Sequence, residues 1–200
     1  MIPENSKPAE EEDLPEPMYR PETTAQSILS GLYGWLQPLL FALTVLFFVS
    51  TFLGRLIGVE GTSMVPTLHN KDMLLLQSIA CTPKAGDIVV LSEQSFEEGT
   101  PIVKRVIATE GQTVDLDYAS GTVYVDGVAL DEPYLGESMR EPTWATNGRH
   151  FDVPEGHIFV LGDNRNNSTD SRDPRVGMVD ERCVLGRAVW RLIPFGGIDG

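Results

Sequence analysis

Three segments of this 200-residue chain carry side chains able to do covalent chemistry. The first is Gly61-Thr62-Ser63-Met64-Val65-Pro66-Thr67. An extended run over 56–60 leads into it, so Ser63 stands at a strand end before a turn rich in Gly, Thr and Pro. Pro66 fixes its own φ and biases Val65 toward extended geometry. A rigid turn that presents one hydroxyl suits a nucleophilic serine. On this segment alone, a serine capping a turn is the simpler reading.

A serine nucleophile needs a base. The chain has three histidines, His69, His150 and His157, none beside a residue that would orient it. The G-x-S-x-G elbow is absent, although a Ser-His-Asp triad can assemble from distant positions. No H-E-x-x-H or paired-Cys spacing points to a metal. Lysine is the other candidate. Lys71 and Lys84 lie in turn sequences, whereas Lys104 lies inside the apolar run Ile102-Val103-Lys104-Arg105-Val106-Ile107. Strand alternation sends Lys104 and Arg105 to opposite faces, so one of the two charges must face a buried or cleft side. Desolvation lowers a lysine's proton affinity and can convert it into a base. The alternative is an edge-strand lysine that blocks aggregation.

The third segment, 163–172, is an unbroken polar run after the apolar stretch 158–161. Such a loop must satisfy its own donors and acceptors. Asp163 with Arg165, and Asp170 with Arg172, are candidates for internal ion pairs; a solvated surface loop is the alternative.

The elements that must position these segments follow from composition. Residues 1–22 form an acidic, Pro-rich tail that reads as disordered. Residues 23–54 carry no charge and centre on WLQPLLFALTVLFFVSTFL, 35–53. Nineteen helical residues span about 28 Å, close to the hydrocarbon thickness of a bilayer. The long acidic lead and the lack of a small-x-small site argue for a retained anchor over a cleaved signal. Gln37 and Pro38 are expected in the first turn, where proline does least harm. Arg20 and Arg55 flank the span one against one, so charge sets no orientation. Residues 55–200 read as one mainly β, antiparallel domain. Strands are expected over 87–91, 102–108, 158–161 and 183–192, with a hairpin at 122–130 turning on Asp126-Gly127. A net charge of −14 argues against a nucleic-acid partner. Two cysteines, Cys81 and Cys183, exclude a disulfide-dense scaffold.

Taken together, GTSMVPTL (61–68), GDIVVL (86–91), IVKRVIATEGQTV (102–114) and VPEGHIFVLGDNRNNSTDSR (153–172) resemble the type I signal peptidases. Fainter echoes are GTVYVDGVALDEPYL (121–135) and GRAVWRLIPFG (186–196). The stretches keep the family's order, and the single span and short body are similar to the Gram-positive form. The resemblance implies an antiparallel β catalytic domain (55–200) behind one transmembrane helix and its approach (23–54), with the body extracytoplasmic. It implies a serine endopeptidase in which Ser63 is the nucleophile and Lys104 the general base. Ser168 would hydrogen-bond the lysine. Asp170 and Arg172 would hold the site, with Asp163, Asn164 and Arg165 as scaffold, and Met64 would line a substrate pocket. Secretory preproteins are the implied substrates, with small residues at −3 and −1. The lipid bilayer and the export machinery are implied partners, and no cofactor or metal is needed. Where some members carry an oxyanion-hole serine two residues before the nucleophile, this chain has Gly61. The family's L-P-G-D turn reads Thr109-Glu110-Gly111-Gln112. Two rival readings are a self-cleaving repressor-type Ser-Lys peptidase and a membrane-tethered β domain that binds without cutting.

Overall fold

The computed structural model describes residues 24–52, 55–78, 82–92, 100–144 and 146–198. The tail 1–22 and Cys81 lie outside the described residues. Helix α1 runs Thr24–Phe52. Its segment Gly31–Phe48, with mean hydropathy 1.6, is long and apolar enough to cross a membrane. The helix begins well before Trp35, so Pro38 lies inside it and not in its first turn. Its missing N–H leaves the Gly34 carbonyl without the usual i+4 donor.

Among the described residues the body is built from eleven strands. They are β1 Arg55–Gly58, β2 Met73–Gln77, β3 Ile88–Leu91, β4 Ile102–Ala108, β5 Thr113–Asp117, β6 Thr122–Val125, β7 Val128–Ala129, β8 His150–Asp152, β9 His157–Leu161, β10 Val179–Asp180 and β11 Val184–Ile193. Seven form one sheet in the order β1-β2-β11-β3-β4-β9-β10, and four form a second, β7-β6-β5-β8. Every strand pair is antiparallel. The β6–β7 hairpin turns on Asp126 and Gly127, both at positive φ, as a type I′ turn requires.

Apolar periodicity explains the layering. In β5 and β6 every second residue is buried, Val114 and Leu116 against Val123 and Val125. These pack with Phe151, and with Ile107, Phe159 and Leu161 from the larger sheet, joining the two sheets in one core. Val59, Leu74, Leu76, Ile88 and Ala188 form a second core cluster around β1, β2, β3 and β11. Burying each such side chain contributes roughly 1.5–3 kcal/mol before entropy is counted.

Strand β4 is buried along its whole length, on both faces. Lys104 and Arg105 therefore both leave water, at 3% and 6% exposure, where alternation alone required only one to do so. Each must then find partners in the interior.

Candidate active site

Arg105 and Lys104 resolve their burial differently. Arg105 forms a bidentate pair with Asp163, Nε to Oδ1 and Nη2 to Oδ2 both at 2.8 Å. Its guanidinium also lies 3.8 Å from the centre of the Tyr134 ring. Lys104 Nζ reaches two neutral oxygens, Ser63 Oγ at 2.9 Å and the Val103 carbonyl at 3.0 Å. Ser63 and Lys104, 41 positions apart in sequence, thus meet at one hydrogen bond.

They meet in a cleft of about 490 Å³. Residues 60–63 form one part of its lining and 100–104 another, with 167–169, Trp144, Asp173 and Arg175 completing it. β9 pairs with β4 only from Arg105 onward, while β3 pairs with β4 through Ile102. The edge of β4 over 102–104 is therefore open on the side away from β3, inside the cleft. None of the three histidines lines it. His150 Nδ1 instead lies 2.6 Å from Asp115 on the second sheet, which raises the imidazole's pKa through that hydrogen bond.

The polar run 163–172 is not a solvated loop. Asp163, Arg165, Ser168, Asp170 and Arg172 are all buried. Asp170 and Arg172 pair as the sequence suggests, Nε to Oδ1 at 2.8 Å and Nη2 to Oδ2 at 2.9 Å. Asp163 and Arg165 do not pair with each other. Asp163 serves Arg105, 58 positions away, and accepts from the Thr67 hydroxyl. Arg165 binds Glu132, whose other contact is the Tyr134 hydroxyl. Burial first, then Glu132, pushes the Tyr134 phenol well above its ordinary range.

At the centre of this network sits Gly162. Its N–H donates to Asp170 Oδ2 at 3.1 Å, and its carbonyl accepts from Arg165 Nε at 3.2 Å. A Cβ built at Gly162 would lie 2.5 Å from the Ser63 carbonyl and would run into Ser168 Oγ. Only glycine lets the Ser63 turn and Ser168 approach so closely. Asn164 completes the clamp: its N–H donates to the Ser63 carbonyl at 2.9 Å and its Nδ2 to the Thr62 carbonyl at 3.2 Å.

Two residues singled out by the sequence sit differently from expectation. Ser168 lies in the cleft, but its buried Oγ makes no hydrogen bond, so the bond to Lys104 that the resemblance implies is not made. The hydroxyl is packed against Gly162, while Lys104 donates to Ser63 and Val103. Met64 is 1% exposed and packs with Val59, Leu68 and Leu74; it anchors the Ser63 turn in the core and is not among the cleft-lining residues. Among the described residues no cluster of His, Cys, Asp and Glu could hold a metal.

The sequence profile of the family "Signal peptidase, peptidase S26" matches residues 32–193. This chain belongs to that family. Signal peptidase I of Bacillus licheniformis is 34% identical over 84% of this chain and 92% of its own length. Signal peptidase IB of Staphylococcus aureus is 31% identical over 82% of this chain and 91% of its own length. A crystal structure of a signal peptidase I from Enterococcus faecalis is 33% identical, covering 54% of this chain and 97% of that one, with a TM-score of 0.43. As an S26 peptidase the chain is a serine peptidase, a hydrolase of peptide bonds from a family that processes signal peptides.

For this S26 peptidase, the close approach at Gly162 has a measurable consequence. Gly162→Ala will force the Ser63 carbonyl and Ser168 apart and lower the cleavage rate by roughly 10²-fold, the scale of a 1 Å misplacement within an active-site cleft. A steady-state rate assay on purified protein in detergent reads the effect.

Proposed function

We propose that this chain is a single-pass, membrane-anchored signal peptidase that cuts exported preproteins with Ser63 as nucleophile and Lys104 as general base. The observation that carries the reading is the 2.9 Å contact between Lys104 Nζ and Ser63 Oγ at a buried lysine. Burial penalises an ammonium and so favours the neutral amine. The neutral amine takes the Ser63 proton as Ser63 Oγ attacks the scissile carbonyl. The charge that develops on the carbonyl oxygen meets the Ser63 N–H. Lys104 returns the proton to the leaving amine. It then takes a proton from the water that cleaves the acyl-enzyme, and Ser63 is regenerated.

The substrate enters as an extended strand on the open edge of β4 at 102–104, opposite residues 60–63. Small residues at −3 and −1 are the preference this reading carries from the family. Asp170, Arg172 and Ser168 act in it as supports, with Met64 setting the Ser63 turn against the core.

Helix α1, within 23–54, is the anchor in this reading, and residues 55–200 form the extracytoplasmic catalytic body. A second apolar feature supports contact with lipid. Leu56, Leu75 and Trp190 lie side by side across β1, β2 and β11, and Ile193 and Phe195 extend the patch. The Trp190 and Phe195 rings stack at 5.6 Å, exposed by 49% and 78%. Exposed apolar patches of this kind mark interaction surfaces, and aromatic rings favour the membrane interface.

The test is direct. Purified protein in detergent is incubated with a secretory preprotein and read by size shift and N-terminal sequencing. Cleavage at the signal junction is expected. Ser63→Ala will abolish it with almost no change in melting temperature. Wild-type rates in that variant would overturn the assignment, and binding without cleavage by the wild type would favour a tether.

A further inference from the structure

An acyl-transfer site needs more than one donor for the developing oxyanion, and losing one typically lowers kcat by 10²–10³. Here the Ser63 N–H is one such donor; among the described residues no protein group accepts it. Residue 61 supplies no second. Gly61 has no side chain, its φ of +88° strains any other residue there, and its N–H is spent on Asn70 Oδ1 at 3.2 Å.

The neighbouring residue is arranged for the task. Thr62 lines the same cleft as Ser63 and Lys104. Its carbonyl is tied to Asn164 Nδ2 and to the Val65 N–H, each at 3.2 Å, which fixes the backbone on both sides of the nucleophile's amide. Its Oγ1 accepts a hydrogen bond from Asn167 Nδ2 at 3.0 Å. A hydroxyl has one proton and two lone pairs, so accepting from Asn167 leaves the proton to be given elsewhere and polarises it. Asn167 comes from the same loop that presses Gly162 and Ser168 against Ser63, and it too lines the cleft.

We infer that the Thr62 hydroxyl is the side-chain donor of the oxyanion hole, and that Asn167 is the positioning residue that orients it. The inference rests on Ser63 being the nucleophile. When the Ser63 Oγ–carbonyl bond forms, the carbonyl π pair moves onto oxygen. That oxygen accepts from the Ser63 N–H and the Thr62 O–H, and neither proton is transferred.

The experiment compares Thr62→Val, Thr62→Ser, Asn167→Ala and Ser63→Ala in the full-length protein in detergent. Two ligands of one signal-peptide sequence are used. One is a C-terminal aldehyde, which places a hemiacetal oxygen in the hole, and the other an unreactive reduced-amide peptide. Thr62→Val is expected to lower kcat by about 10²-fold or more with KM nearly unchanged. It should weaken the aldehyde by a similar factor and leave the reduced amide alone. Thr62→Ser should stay within a few-fold of wild type. Asn167→Ala should lower kcat by roughly tenfold, the scale of one neutral hydrogen bond. A merely structural role would weaken both ligands together, and serine would not rescue it. Wild-type kcat in Thr62→Val, equal loss in Thr62→Ser, or parallel loss of both ligands would each overturn the inference. If Thr62→Val fails to fold, the serine and Asn167 variants with the two ligands decide. Activity in Ser63→Ala would instead overturn the underlying Ser63 reading.

Discussion

Lys104→Met gives a protein that folds at least as well as the wild type and cleaves no preprotein. Methionine matches lysine in length and fills the same space in β4, where Lys104 is 3% exposed. It removes the amine that, on the proposed mechanism, is held neutral there, so the folded state loses the cost of desolvating a polar group. The same change removes the group 2.9 Å from Ser63 Oγ, and the hydroxyl at its ordinary acidity is a poor nucleophile. Lys104→Arg is equally inactive, because a guanidinium does not give up its proton in the working range. In the wild type, kcat/KM rises with pH along a limb that reports deprotonation of the free enzyme's base. Cleavage by Lys104→Met at more than a few per cent of the wild-type rate would defeat the assignment, since no histidine stands in the cleft to replace it.

The second large effect falls on the pair that never meets solvent. Asp170 and Arg172 are both fully buried, and each also holds backbone: Asp170 takes the Gly162 N–H and Arg172 gives to the Arg165 carbonyl at 2.7 Å. Asp170→Ala strands a guanidinium in the interior, and Arg172→Ala strands a carboxylate. Each costs about 3–5 kcal/mol. Both variants lose melting temperature and activity together, because the strand end they hold is the one that presses on Ser63. Calorimetry alongside the cleavage assay checks this. A normal melt with full activity in both would show that the pair does not hold the site.

The legible and illegible parts of the structure divide along a physical line. Strands β3, β4, β6, β9 and β11 show in the sequence as apolar runs bounded by turn residues, and the Asp126-Gly127 turn is a strong local signal. Strand β5, TVDLD, carries the right alternation but is short and half polar. The two-residue β10 and three-residue β8 have no periodicity to read. Charge pairing follows the same rule. Asp170–Arg172 is two residues apart and was visible, whereas Arg105–Asp163 and Arg165–Glu132 exist only once strands far apart in sequence are side by side. The steric role of Gly162 and the clamp from Asn164 and Asn167 likewise depend on a close approach that no local pattern encodes.

The order of the larger sheet has a temporal consequence. Ser63 follows β1 and Lys104 sits in β4, yet β2 reaches β3 only through β11, which occupies the place between them. That strand, Val184–Ile193, is the last of the eleven to leave the ribosome. Until it inserts, no strand pairing joins β1 and β2 to β3 and β4, and only loop contacts such as Asn164 N–H to the Ser63 carbonyl hold Ser63 on the side of Lys104. On the proposed mechanism, a nascent chain therefore carries both reactive side chains before the sheet that braces them is complete. In the reading proposed above, completion of the sheet by β11 is the step that fixes the spacing of Ser63 and Lys104.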